Sequence, residues 1–196
     1  MAAFYQESDY ENALLELFEQ HLGYECVCGY NIEHDIKSPL YEQVLEESIF
    51  RINKGKPYDA IQNALLTLKN FENGTLVQKN AVFTDYLQNG ISARYTEKGE
   101  ERSTLIYLVD WENIENNSFI CANQWTFVEN SNRRPDILLF INGLPLVLIE
   151  LKSPSREDTD ASEGYTQIRN YMKEIPSMFY YNQICVMSDQ LTSKAG

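Results

Sequence analysis

Basic residues are scarce in this chain. Sixteen lysines and arginines stand against 29 aspartates and glutamates, a net charge of −13 over 196 residues. Affinity for duplex nucleic acid comes mainly from Lys and Arg on phosphates, so this balance excludes tight nonspecific duplex binding by the stretch alone. Histidine is rarer still. His21 and His34 are isolated, each reads as surface or packing, and no serine elbow is present for a triad to serve. The cysteines Cys26, Cys28, Cys121 and Cys185 are scattered, and Cys26-Val27-Cys28 has neither the spacing nor the His partners of a zinc site. Four reduced, mostly buried thiols and a reducing compartment are expected. Met1-Ala2-Ala3-Phe4 opens no secretory signal, and no apolar run is long enough to span a bilayer. A cytoplasmic protein without a membrane partner is the expectation. A GxxxxGK(S/T) phosphate loop is missing too, which disfavours a hydrolase of free nucleotides or small phosphoesters.

What is present suits one folded domain. The chain is 43% hydrophobic, with 13 Tyr and 9 Phe to fill a core. Ser8-Asp9-Tyr10-Glu11 is a capping-box pattern, opening a helix that runs to about His21 and stops at Gly23. Tyr24 to Tyr30 reads as a short strand. Helices are expected from Ser38-Pro39, from Lys56-Pro57 and over Leu76 to Leu87, the last broken near Asn89-Gly90. These three read as a helical insertion, about 38–90, in a core made of the first helix (8–22) and 91–190. From Ile91 the period changes to two. Strands are expected at Ser92–Tyr95, Leu105–Trp111 and Phe119–Val128, with a charged turn over Glu97–Arg102 and a loop at Ser131–Arg134. Asp110, at a strand end, is a reserve acid.

The chemistry concentrates in Arg134 to Ser153, RPDILLFINGLPLVLIELKS. Two apolar runs, Ile137–Ile141 and Leu144–Leu151, flank Asn142-Gly143, the strongest short hairpin signal. Both runs are apolar on both faces, so both strands should be central in the sheet. Side chains alternate along a strand, which puts Leu146, Leu148, Glu150 and Lys152 on one face. Pairing at equal distance from the turn sets Asp136 opposite Ile149 to Leu151. Two acids and a lysine then meet at the edge of an apolar sheet, where charge must be paired or hold a cation. Oxygen ligands favour Mg²⁺, and such a set suits phosphodiester hydrolysis. The D-x13-E-x-K spacing alone is also met by a structural Glu–Lys pair and an Asp in a turn.

Beyond Lys152 a polar loop over Ser153–Asp158 leads to a helix from about Asp160 to Glu174. Gln167 and Tyr171, four apart, share a face of it. Ile184–Met187 reads as a buried strand, parallel to the second hairpin strand because a helix crosses between them.

Pro135-Asp136, Glu150-Leu151-Lys152 and Gln167-Ile168-Arg169-Asn170-Tyr171 together resemble the nuclease signature of the restriction (R) subunit of type I restriction enzymes, a branch of the PD-(D/E)xK nucleases. The motifs span Arg133 to Tyr171, and weaker similarity covers nearly the whole chain. The resemblance implies an α/β (α+β) restriction-endonuclease-like core, a mixed central sheet flanked by helices. It implies a Mg²⁺-dependent endonuclease acting on double-stranded DNA. Asp136 and Glu150 would bind the metal, Lys152 would position or activate water, and Gln167 and Tyr171 would support the site. Glu11 or Glu7 would be an additional metal ligand from the first helix, although a helix cap explains Glu11 equally well. Arg133 and Arg134 could meet DNA phosphates or be solvated loop charges. Such subunits continue into an ATP-driven translocase, so ATP would serve motor domains absent from these residues. Methyltransferase and specificity subunits would be the partners. The competing expectation is a catalytically vestigial, nuclease-like docking module for partner subunits, which the acidity favours mildly and the intact Asp, Glu and Lys oppose.

Overall fold

The computed structural model describes residues 7–152, 161–189 and 192–196. Helix α1 (Glu7–Leu22) leads into strand β1 (Glu25–Cys28). Helices α2 (Glu42–Ile52), α3 (Tyr58–Lys69) and α4 (Leu76–Asn89) follow. Next come β2 (Ile91–Glu97), β3 (Glu100–Ile106), β4 (Phe119–Asn123), β5 (Phe127–Val128) and β6 (Asn132–Arg133). The hairpin β7 (Ile137–Ile141) and β8 (Leu144–Leu151) precedes α5 (Ala161–Glu174). A single turn α6 (Met178–Tyr181), then β9 (Ile184–Ser188) and β10 (Ser193–Ala195), complete the described residues. The expected loop over Ser153–Asp158 lies outside them.

The main sheet has six strands in the order β1-β4-β7-β8-β9-β10. β7 is antiparallel to both β4 and β8, whereas β1–β4 and β8–β9 are parallel. The expected mixed sheet flanked by helices is therefore present, in a nuclease-like α+β arrangement. One sheet face carries Cys121, Ile137, Leu139, Ile149 and Leu151 and receives Tyr10, Leu14, Leu15 and Phe18 of α1. The other carries Ile120, Leu138, Phe140 and Leu148 and receives Ile168, Tyr171 and Ile175 from α5 and the residue after it. Each aliphatic side chain so buried contributes roughly 1.5–3 kcal/mol, which is why β7 and β8 read as continuous apolar runs. A third core joins α2, α3 and α4 to the β2–β3 hairpin, with Leu144, Leu146 and Tyr181 supplying its link to the sheet. No helix among the described residues is long and apolar enough to cross a membrane.

Several local expectations need correction. α1 already begins at Glu7, so Ser8 is inside the helix and not its cap. The second helix starts at Glu42, because Tyr41 N donates to Gly143 O at 2.9 Å and holds the chain extended past Pro39. The charged turn is only Lys98-Gly99, both at positive φ, and β3 ends at Ile106 before the expected Trp111. Phe119–Val128 is broken at Gln124, whose φ of 54° interrupts the strand. The loop before the β7–β8 hairpin contains β6, paired with β5.

Asn142-Gly143 makes the expected two-residue turn, with both residues at positive φ. It is not a surface turn, because Asn142 is fully buried. A Cβ on Gly143 would come within 2.5 Å of Tyr41 O and 2.6 Å of Leu45 N, at a φ of +78°. Gly143→Ala is expected to destabilise the chain by about 3 kcal/mol, a fall of roughly 6–12 °C in Tm. An unchanged thermal melt would refute this account of the turn.

Candidate active site

The acids reach each other through a β-bulge. Counting outward from Asn142-Gly143 without interruption would set Asp136 opposite Ile149 and aim it away from Glu150. The register instead shifts between Leu139 and Phe140. Phe140 pairs with Pro145 while Leu139 pairs with Val147, leaving Leu146 unmatched. Ile137 therefore pairs with Ile149, and one further step sets Asp136 opposite Glu150 on the α5 side of the sheet. Leu146, expected on the Glu150 face, packs with Tyr181 and the helical core instead.

Asp136 Oδ2 accepts a hydrogen bond from Leu151 N at 2.7 Å. Glu150 has no solvent exposure. Its Oε2 accepts from Gln167 Nε2 at 2.5 Å and lies 3.7 Å from Lys152 Nζ. Its Oε1 is buried without a hydrogen-bond partner among the described residues. Burial, followed by the Asp136 charge, pushes the Glu150 carboxyl up to about 8, while Lys152 pulls the other way. The same Gln167 nitrogen lies 2.9 Å from Tyr171 Oη, so one amide spans acid and phenol. The Tyr171 hydroxyl is also pushed upward, by burial first and Glu150 second. Gln167 and Tyr171 sit one turn apart on α5, as their spacing requires.

Lys152, Gln167 and Tyr171 border an open pocket of about 370 Å³, lined also by Asn170, Arg133 and Glu174. Arg133 is held by Glu174 through two parallel hydrogen bonds, from Nε to Oε2 and from Nη2 to Oε1. Arg134 is outside that lining and lies over the Tyr30 ring, 5.2 Å from its centroid. The structure thus brings Asp136, Glu150, Lys152, Gln167, Tyr171 and Arg133 to one place.

Glu11 is held elsewhere. Its Oε1 accepts from Asn123 Nδ2 at 2.7 Å and Gln124 Nε2 at 3.3 Å. The side chain of Glu7 lies outside the described residues. No group of three His, Cys, Asp or Glu side chains able to hold a metal occurs among the described residues. Asp110 closes a local turn, accepting from the backbone of Glu112 and Asn113 and from Asn116 Nδ2. His34 stacks on Trp125 at 4.0 Å, a packing role.

Sequence reasoning missed Glu174. Its signal was available, since it lies seven residues after Gln167 and so falls on the same helical face, while Arg133 stands three residues before Asp136. Nothing in the sequence announced that these two would pair.

The profile of the family described as type I restriction enzyme R protein N terminus matches residues 4–196. The chain belongs to this family. Among its relatives, the endonuclease subunit of type I restriction enzyme HindI from Haemophilus influenzae is 32% identical over 200 residues, covering 97% of this chain. The putative MjaIXP endonuclease subunit from Methanocaldococcus jannaschii is 32% identical over 95% of the chain. The SauMSSORF170P endonuclease subunit from Staphylococcus aureus is 26% identical over 98%. The chain spans only 19% of the length of each of these relatives, and what it matches is described as the R protein N terminus.

Proposed function

We propose that this R protein N-terminal region is a Mg²⁺-dependent endonuclease domain that cleaves phosphodiester bonds of double-stranded DNA. The observation that carries the reading is Glu150: a fully buried acid, with one oxygen unpartnered, facing a second carboxylate. An orphaned buried carboxylate oxygen is costly unless something outside the protein satisfies it. Asp136 and Glu150 fit a hard divalent cation, because Mg²⁺ takes one or two carboxylates and fills its remaining positions with water and substrate phosphate. When bound, the cation supplies Lewis-acid polarisation of a phosphoryl oxygen.

The chain's own residues do the rest. Lys152 Nζ, 3.7 Å from Glu150 Oε2, holds an attacking water or offsets charge developing on the phosphate. Gln167 fixes the orientation of Glu150 Oε2 and of the Tyr171 hydroxyl. Glu11, occupied by Asn123 and Gln124, does not join the cation's ligands in this reading. The low count of basic residues implies that DNA is delivered by other parts of the enzyme, the ATP-driven motor of the same subunit and the methyltransferase and specificity subunits. ATP is then a cofactor of the full subunit alone.

The test is cutting of supercoiled plasmid by the assembled enzyme with Mg²⁺ and ATP. Asp136→Asn is expected to slow cutting at least about tenfold, since metal polarisation of the phosphate supplies several kcal/mol, and to leave ATP turnover intact. Loss of both activities would favour the docking-module reading, and undiminished cutting would sink the catalytic one.

A further inference from the structure

Arg133 has five N–H bonds arranged as a flat fork. Glu174 accepts from one edge of it, formed by Nε and Nη2. The other edge, Nη1 with the second Nη2 hydrogen, meets no acceptor among the described residues. The two side chains are 40% and 27% exposed, so the pair sits at the pocket wall with an open edge that solvent reaches. Lys152, Gln167 and Tyr171 line the same pocket.

The pair also ties together the two segments that carry the site. β6 ends at Arg133, three residues before Asp136, and Glu174 ends the helix that carries Gln167 and Tyr171. An exposed ion pair stabilises a fold little, so a clasp alone is a weak reason for this geometry. A guanidinium gripped on one edge is fixed in plane and direction, and its remaining edge matches two oxygens of a phosphate. Arg133 is held upward and Glu174 downward from their ordinary pKa values by each other, so both stay charged at neutral pH. Asn170 is exposed and lines the same pocket.

We propose that Arg133 holds a phosphate of the DNA strand beside the one being cut, through the guanidinium edge that Glu174 leaves open, and that Glu174 is the positioning residue that aims it. This rests on the endonuclease reading above. It makes Glu174, an acid in a pocket for a polyanion, a contributor to binding and not a repellent.

The full-length R protein is titrated with a short blunt duplex across a range of KCl concentrations, and cutting is followed in the assembled enzyme. Arg133→Ala is expected to weaken binding and to reduce the slope of log K against log salt by about 0.9, one phosphate contact. Arg133→Lys keeps the charge and so the slope, yet binds more weakly because the fork is gone. Glu174→Gln weakens binding about fivefold to tenfold, the loss of one charge-assisted orienting contact. Combined with Arg133→Ala it has no further effect, since it acts only through Arg133. Tighter binding by Glu174→Gln would overturn the proposal by making the carboxylate a competitor of phosphate. An unchanged salt slope in Arg133→Ala, or a lowered Tm in either variant with binding intact, would overturn it by leaving only a clasp. Lys152→Ala separates the two levels: it should not cut, and in that background Arg133→Ala should still lower the salt slope by about 0.9. Normal cutting by that variant would remove the endonuclease reading, whatever Arg133 does.

Discussion

Lys152→Ala in the assembled enzyme is expected to slow DNA cutting roughly 10²–10³-fold, the loss of one preorganised donor at a developing charge, while ATP turnover continues. The size follows from where the ammonium sits. Its side chain is 21% exposed, it lies 3.7 Å from a buried acid, and it lines the pocket that Gln167 and Tyr171 also line. Arg133, the other cation of that lining, is already committed to Glu174 on one edge. A second signature accompanies the first. Lys152 is the charge that draws the Glu150 carboxyl down against burial and Asp136, so its removal should raise that carboxyl further. Plasmid cutting at the native rate would show that the lysine is structural.

Glu150→Gln is expected to stabilise the cation-free chain at pH 8 while abolishing cutting. The Glu150 carboxyl is raised from 4.5 to about 8 in the folded chain. Between those values the folded state keeps a proton that the unfolded state has released. Stability contributed by this group is therefore complete below about pH 4.5 and declines as pH rises towards 8, by at most about 1.4 kcal/mol per pH unit. Glutamine carries no proton to lose, so the variant escapes that decline. At pH 8 with chelator present its Tm should exceed the native value by up to roughly 10–20 °C, and at pH 4.5 the two should nearly coincide. Mg²⁺ should raise the Tm of the native chain and leave the variant unmoved. Equal melts at pH 8 would mean that Glu150 is not held protonated by its surroundings.

The parts of this molecule legible in the sequence are the local ones. The apolar runs of β7 and β8, the Asn142-Gly143 turn and the helical face of Gln167 and Tyr171 each follow from the spacing of neighbouring residues. The bulge at Leu146 does not, because a register shift depends on how the hairpin packs against Tyr181 and the helical core. That one unmatched residue decides whether Asp136 and Glu150 share a face. The start of α2 failed for a related reason: Ser38-Pro39 is a sound local signal, and a tertiary hydrogen bond from Tyr41 to Gly143 overrides it. The family resemblance offers Glu11 or Glu7 as a metal ligand and local sequence offers a cap for Glu11, and only the fold shows Asn123 and Gln124 occupying Glu11.

The buried turn bears on how this protein ages. Asn-Gly is the dipeptide most prone to deamidation, which requires the asparagine side chain to swing onto the following backbone nitrogen. Here Asn142 Oδ1 accepts from Ser118 N at 2.7 Å, and Nδ2 donates to Leu108 O and Asn117 Oδ1 at 2.9 and 2.8 Å. The amide cannot turn while those bonds hold, so folding shields this Asn-Gly, whereas Asn73-Gly74 stays exposed. Isoaspartate accumulating at position 142 in a stored sample would then record time spent unfolded, not time elapsed.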